Sequence, residues 1–436
     1  MQNIMDNFNG IIDNLISGEW ISPISNKPIK LPIQKIEIAN SLDGREIDFI
    51  KETHKDEKIL IISDQCTHDI LGSRVYKNLI GKCSVAEFIW SKPKADINGI
   101  KEIQEISRDF SSLIAIGSGT ITDSVKYATF LDKKKFSVFA TTPMNAYTTP
   151  TASISFNGFK KSITSHPATG AYFDLSIISK CPKRLTKAGF ADVICRTTAQ
   201  VDWLMSHFIL NSHYDETPYL LLKLYEEEMM DQAKQISKGE VQALSLLTKI
   251  CAIMGISTIF TGTTHCGSMS EHLISHYIDM FAKNDHPGTS HGEQVGIATM
   301  TISKIQNEIL LKEKPPIFFP TKIPEKELKS KIGSEIFKNI NPSINLKVNN
   351  EKKAEQLNHY LDKNWTKFVN PLRKVMVNFN KLWSVMGECG ALRTPEEAGL
   401  NKNFYNDALM YARFIRNRYT ILDFADDSNQ LEKFIN

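Results

Sequence analysis

The sequence predicts an α/β domain on a parallel sheet, followed by an all-helical domain. Three observations predict it. Short apolar runs alternate with helical stretches in roughly the first third of the chain. From about Cys181 strand signals largely vanish and long amphipathic stretches follow one another. The length, 436 residues, favours two domains over one. The expected division is residues 1–180, a nucleotide-binding α/β domain, and 181–436, a helical domain.

The first strand candidate is Ile59-Leu60-Ile61-Ile62, ending at Ser63-Asp64. Ser84 to Trp90, Leu113 to Ile116 and Phe136 to Ala140 follow. Near-continuous apolar runs of this length fit strands buried on both faces by covering helices. Between them, Ile70 to Leu79 and Ile121 to Phe130 carry helical periodicity. The second part offers Ala188 to Leu210, Pro218 to Ile236, Glu240 to Phe260, Ser270 to Phe281 and Gly292 to Leu311 as helices. Lys312 to Pro324, with four prolines among lysines, reads as an exposed connection, and Lys326 to Glu355 as peripheral. Leu372 to Cys389 and Asn406 to Asn417 read as closing helices.

Composition narrows the function. Lys plus Arg is 52 and Asp plus Glu 49, a net charge of +3. That leaves no basic stripe and argues against nucleic acid as a partner. No apolar run approaches the ~20 residues of a membrane span, the longest being Cys251 to Phe260. The N-terminus lacks the basic and apolar regions of a signal peptide. Seven cysteines at irregular spacing, with no CxxC pair, read as free thiols in a cytoplasmic, reducing compartment.

Two segments point to chemistry. Gly117-Ser118-Gly119-Thr120-Ile121-Thr122-Asp123 follows an apolar strand and opens a helix. Glycines there admit a phosphate close to the backbone, and a helix N-terminus offers unpaired N–H groups. A plain strand-to-helix turn with Thr120 as cap has the same signature. Asp64, at a strand's carboxyl end, could hold the ribose hydroxyls of NAD or be a turn residue. In the helical half, His272 and His276 stand four apart on one helix face, and His291 opens the next helix. Five of the eleven histidines lie within 27 residues, a density that favours a metal site with an open position. Asp192 alone reads as a helix cap. Lys160-Lys161, in the loop after Ile154-Ser155-Phe156, reads alone as a solvated pair.

Taken together, IISDQCTHDILG (61–72), IAIGSGTITDSVKYAT (114–129), FATTPMNAYTTPTASIS (139–155), KAGFADVICRTTAQVDWLMSH (187–207), GSMSEHLISHYIDM (267–280) and HGEQVGIATM (291–300) resemble sn-glycerol-1-phosphate dehydrogenases. That family belongs with iron-containing alcohol dehydrogenases, glycerol dehydrogenases and dehydroquinate synthases. The resemblance covers roughly residues 10 to 310 and, more weakly, NRYTILDFA (417–425).

The resemblance implies a dehydroquinate synthase-like fold: a Rossmann-like N-terminal domain, a helical C-terminal domain, and an active site in the cleft between. It implies NAD(P) held by Asp64, by Gly117, Ser118, Gly119, Thr120 and Ile121 with Asp123 closing that segment, and by Thr141 and Thr142. One divalent metal, Zn before Ni or Fe, would sit on Asp192, His272 and His291. His276 would face the substrate and relay the proton, with Asn145, Lys161 and Arg196 as further substrate contacts. Dehydroquinate synthases use Glu where this chain has Asp192, and iron-type alcohol dehydrogenases add a His where it has Arg196. The implied reaction is metal-assisted reduction of dihydroxyacetone phosphate to sn-glycerol 1-phosphate, in a small-molecule enzyme compatible with a homo-oligomer. Another polyol or sugar-phosphate dehydrogenase, or a nucleotide-binding relic, stays open. The Thr141-Thr142-Pro143-Met144-Asn145-Ala146-Tyr147 loop lacks a serine and a glycine common in relatives. Ala191 replaces a glycine before Asp192, and Met269-Ser270 replaces a small or polar pair before Glu271.

Overall fold

The computed structural model describes residues 2–55 and 57–435. The chain forms two compact units, one of Met1–Gly189 with Glu216–Thr263, the other of Phe190–Asp215 with Thr264–Asn436. The single boundary expected at 180/181 is therefore replaced by an interleaved one, because the segment 216–263 groups with the α/β part.

Eight strands lie in the first unit: β1 Lys35–Ala39, β2 Ile59–Ser63, β3 Val85–Ile89, β4 Ser112–Gly117, β5 Lys135–Ala140, β6 Thr151–Phe156, β7 Phe159–Thr164 and β8 Gly170–Asp174. Six form one sheet in the order β1-β8-β5-β4-β2-β3, with every neighbouring pair parallel. β2 and β4 are buried along their whole length, which is why they read as unbroken apolar runs. Ile59, Ile61, Ile114 and Ile116 pack in one cluster with Leu71, Val75 and Leu79 from the connection after β2. The four expected strands are present. β1 and β8 were not legible: Lys35-Ile36-Glu37-Ile38 alternates like a surface strand, and Gly170–Asp174 is short and polar at its end.

The winding places a site. β3 lies on one side of β2 and β4 on the other, so the chain reverses direction across the sheet between β2 and β4. Ligands of open α/β sheets bind outside the carboxyl ends of the strands at such a switch point. Asp64 follows β2 there, and Gly117 ends β4.

β6 and β7 form a separate antiparallel hairpin in register Phe156↔Phe159. Asn157 and Gly158 both have positive φ, 51° and 80°, the conformation favoured in two-residue hairpin turns. Lys160 and Lys161 thus sit on a strand, not in the loop expected from sequence.

Val241–Thr261 is 21 residues long and, by length and composition, apolar enough to cross a membrane. This corrects the reading of a single short run, Cys251 to Phe260: the polar Ser245, Thr248 and Lys249 hid its continuity. It is mostly buried, as a helix apolar on all sides is in a globular core. Gly255 lets it approach the turn at Asn145–Tyr147: a Cβ there would lie 2.1 Å from Thr148 Oγ1 and 2.5 Å from the Asn145 carbonyl oxygen.

Among its described residues the second unit has helices and no strand. The helices that matter below are Arg196–Leu210, Ser270–Phe281 and His291–Leu310. The stretch expected as one helix from Ala188 to Leu210 is two, Lys183–Ile194 and Arg196–Leu210. Leu372 to Cys389 is also split. The helix Glu351–Val375 ends, and Asn378 caps Phe379–Cys389 by accepting from Asn380 N–H. The segment expected to be peripheral contributes to the core through Phe337, Ile340 and Ile344. Its Lys347, 3% exposed, donates to the carbonyls of Arg413 and Arg418 at 2.5 and 2.8 Å and pairs with Asp423 at 2.8 Å.

Gly255→Ala should destabilise the full chain by about 1–3 kcal/mol, since the new methyl overlaps backbone and hydroxyl atoms of a packed turn. Gly10→Ala, where a Cβ meets nothing within 4 Å, should leave stability unchanged or slightly raised. Urea unfolding of both variants measures the difference, and equal midpoints would refute the packing argument.

Candidate metal centre and dinucleotide site

In the second unit, three helices bring one carboxylate and two imidazoles together. Ligand atoms of Asp192, His272 and His291 all lie within 4.8 Å of one another. His272 Nε2 faces Asp192 Oδ1 at 3.6 Å, and the His272 and His291 rings are 5.0 Å apart. Local sequence fixes each. His272 lies in the first turn of Ser270–Phe281. His291 is the first residue of His291–Leu310, where Ser290 and Glu293 form a capping box. Ser290 donates to Glu293 Oε2 from its N–H at 2.7 Å and its hydroxyl at 2.9 Å.

The surroundings fit a divalent cation. His272 Nδ1 lies 3.0 Å from Glu271 Oε1, and His291 Nδ1 lies 2.9 Å from Ser275 Oγ. Each ring is held through its Nδ1, the kind of outer contact usual for metal-bound histidine. Burial, reinforced by the charge of Glu271, pushes the Asp192 carboxyl up to about 7. A cation would reverse that shift by favouring the charged carboxylate. The donor set of two imidazoles and one carboxylate suits Zn, Ni or Fe.

His276 is 5% exposed, one turn beyond His272 on the same face. Its ring lies 6.2 Å from that of His272 and 5.7 Å from that of His291. A second grouping, His276, Asp279 and His291, shares His291 with the first.

Arg196 departs from expectation. Its side chain is 1% exposed and donates to the Cys266 carbonyl at 3.2 Å. It braces the turn at His265–Gly267.

In the first unit, the glycine segment stands where expected. The helix Gly119–Asp132 is capped at Ser118, not Thr120, and Ser118 makes no side-chain cap bond. A Cβ on Gly119 would meet only Met144 Sδ, at 3.9 Å, so the space over this helix start is open to a ligand. An open fourteen-residue helix N-terminus at a switch point suits a pyrophosphate. Asp64 is the N-cap of Gln65–Thr67, its Oδ1 accepting from Thr67 N–H at 2.8 Å and Thr67 Oγ1 at 3.1 Å. The cap reading and the ribose reading are compatible, because capping uses one carboxylate oxygen.

Asp123 does other work than cofactor binding. Its two oxygens accept from Lys126 Nζ at 3.1 Å and Ser153 N–H at 3.0 Å, tying the helix to β6. Lys126, fully buried, also donates to the carbonyls of Ala146 at 2.7 Å and Thr151 at 2.9 Å. Burial lowers its pKa, and Asp123 opposes that shift. Tyr147 donates to the Gly117 carbonyl at 3.0 Å and sits 3.3 Å from Thr141 N–H and 3.0 Å from Thr142 Oγ1. Thr141 and Thr142 are thereby fixed beside the end of β4. Asn145, half-buried, directs its amide toward Met254 Sδ at 3.7 Å. Lys161 is exposed on β7, its ammonium 5.8 and 5.5 Å from the ring centroids of Phe156 and Phe159.

Sequence reasoning missed Lys126, Tyr147, Glu271, Ser275 and Gln294. Lys126 had a readable signal, a charge three residues after Asp123 on an otherwise apolar helix. The others are ordinary polar residues whose roles exist only through their partners.

Residues 37–182 match the family model described as iron-containing alcohol dehydrogenase. The chain is 28% identical over 277 residues to a glycerol-1-phosphate dehydrogenase [NAD(P)+] of Methanoregula boonei, covering 63% of this chain and 75% of that one. It is 22% identical over 411 residues to the enzyme of the same name from Geobacillus stearothermophilus, covering 91% and 93%. Its fold is similar to that of a probable glycerol dehydrogenase from Sinorhizobium meliloti 1021, with a TM-score of 0.61, 12% identity and coverage of 92% and 97%.

His272→Ala and His291→Ala should each lose bound metal on dialysis, because two protein ligands remain, while NADH binding stays near wild type. His286→Ala should keep the metal. Elemental analysis with NADH fluorescence titration measures this, and a full metal complement in both ligand variants would refute the site.

Proposed function

We propose that this enzyme of the iron-containing alcohol dehydrogenase family reduces dihydroxyacetone phosphate to sn-glycerol 1-phosphate with NAD(P)H. The grouping of Asp192, His272 and His291, each imidazole braced by its own partner, carries the reading. The names of its relatives and the open helix start at the sheet's switch point support it. The seven cysteines are free thiols, which agrees with work in the cytoplasm.

A divalent metal, when bound, supplies Lewis acidity that stabilises negative charge developing on the carbonyl oxygen. The dinucleotide supplies the hydride, and the chain positions it. Asp192, His272 and His291 hold the metal. His276, buried beside them, gives its proton to the product oxygen and is the proposed general acid. Gly119 and the following N–H groups hold the pyrophosphate, and Asp64 accepts from the adenine ribose hydroxyls. Asn145 orients the ketone, and Lys161 meets the phosphate.

Of the two cations expected to recognise phosphate, Lys161 is exposed and Arg196 is buried against the Cys266 carbonyl, so the reading rests on Lys161. One charge-assisted contact, worth about 1.5–3 kcal/mol, gives roughly 10- to 10²-fold discrimination. Dihydroxyacetone phosphate should therefore exceed dihydroxyacetone in kcat/KM by about that factor. Lys161→Ala should reduce the phosphorylated reaction selectively. Steady-state kinetics on both ketones tests this, and equal kcat/KM in the wild type would favour a general polyol dehydrogenase.

Asp64 should favour NADH, because its carboxylate repels a 2′-phosphate. Asp64→Ser keeps a residue able to cap the helix, so the fold should persist while the NADPH/NADH ratio of kcat/KM rises. An unchanged ratio would place Asp64 outside the ribose site.

A further inference from the structure

We propose that Asp279, acting through Gln294 and Ser275, sets which ring nitrogen of His291 carries the proton and so prepares the other for the metal. The inference rests on the metal site described above and names three positioning residues outside the set Asp192, His272 and His291.

The contacts form a continuous series. Gln294 Nε2 donates to Asp279 Oδ1 at 3.0 Å. Ser275 Oγ donates to Gln294 Oε1 at 2.8 Å, and lies 2.9 Å from His291 Nδ1. Ser275 and Gln294 are each 0% exposed, so water does not offer them other partners.

The direction of each bond follows from the inventory of protons. An ionised carboxylate only accepts. Gln294 must therefore turn its amino group toward Asp279, which turns its carbonyl oxygen toward Ser275. A carbonyl oxygen also only accepts, so the single hydroxyl proton of Ser275 goes to Gln294. The Ser275 oxygen is then left as an acceptor, and His291 Nδ1 has to be the donor. A neutral imidazole has one N–H, so Nε2 carries the lone pair that a cation needs. A carboxylate three hydrogen bonds along the series thus decides the state of the ligand.

Of the neighbours of the amide, Asp279 and Thr289 favour this orientation and His286 opposes it. The Thr289 hydroxyl and carbonyl oxygens, at 3.3 and 3.5 Å from Gln294 Nε2, are further acceptors on the amino side. His286 accepts from Gly288 N–H at Nδ1. Its Nε2 therefore bears the proton and faces Asp279 Oδ1 at 3.5 Å. That Nε2 also lies 3.0 Å from Gln294 Nε2, a contact that a flipped amide would convert to a hydrogen bond. The flip would set Gln294 Oε1 against the carboxylate of Asp279, two acceptors with no proton between them.

The test uses the full chain and Zn²⁺ alone, measured by competition with a chromogenic chelator. NADH titration serves as an independent check of folding. Gln294→Leu and Ser275→Ala should each weaken Zn²⁺ binding by about 10- to 100-fold, the usual cost of losing such a partner. The two together should cost no more than the worse one, because they act in series. The paired exchange Asp279→Asn with Gln294→Glu keeps an acceptor facing Ser275 and reverses only the outer bond. It should bring Zn²⁺ affinity back toward wild type, whereas Asp279→Asn alone should not. His286→Ala should bind Zn²⁺ as the wild type does.

Wild-type affinity in Gln294→Leu, multiplied losses in the double variant, or a paired exchange as weak as its worse single would overturn the proposal. So would a loss in His286→Ala equal to that in Gln294→Leu, which would mean that the amide is flipped. His291→Ala separates the two readings. If it retains Zn²⁺, the metal site itself is wrong. If it alone loses Zn²⁺, only the role of Asp279 and Gln294 fails.

Discussion

Two carboxylates, Asp202 and Glu271, are buried in the helical unit, a third, Asp192, is half-buried there, and the compensation of their charge governs how that unit is built. Burial pushes each up to about 7, with Glu271 adding to the shift of the other two. An unpaired buried charge costs several kcal/mol, so donors gather around these groups. Asp202 accepts from Ser270, from Gln306 Nε2 at 2.9 Å and from Ile421 N–H at 3.1 Å. Those bonds join three separate segments of the chain around one residue. Glu271 accepts from Met269 N–H at 2.6 Å and holds His272. For Asp192, whose near neighbours include two imidazoles at ligand distance, the natural compensation is a cation. Fold and metal site are thus the same electrostatic problem.

The first unit solves the opposite problem. There the buried charge is an ammonium. Lys126 satisfies all three of its donors on Asp123, Ala146 and Thr151, and by doing so anchors both ends of the turn after Tyr147. Tyr147 ties the same turn to Gly117 and the Thr141–Thr142 pair. The absent glycine at Ala146 is explained by this: its carbonyl, not its side chain, makes the contact that shapes the turn. The altered TTPMNAY loop keeps a fully bonded backbone frame, which weighs against a relic that has drifted.

Legibility followed burial. β2 and β4, covered on both faces, announced themselves, while the marginal β1 and the short β8 did not. The His272/His276 spacing was readable because a helix places residues four apart on one face. Asp192 was not: in sequence it looks like any helix cap, and only the resemblance picked it out. Long-range groupings such as the return of 216–263 to the first unit leave no local trace. Polar residues that act by bonding to other polar residues, Ser275 and Gln294 above all, carry no pattern either.

Arg196 shows how a single position can set ligand number. It lies four residues after Asp192, across the break between Lys183–Ile194 and Arg196–Leu210. Here that position bears a guanidinium, whose fixed charge cannot ligate a cation and whose donors face the Cys266 carbonyl. The turn it braces precedes Ser270–Phe281, the helix that delivers His272 and His276. Arg418 reinforces the same turn from the far end of the chain, donating to Ser268 Oγ at 2.8 Å and to Thr264 Oγ1 at 2.5 Å. Arg196 is thereby part of the support for the segment that precedes the two histidines.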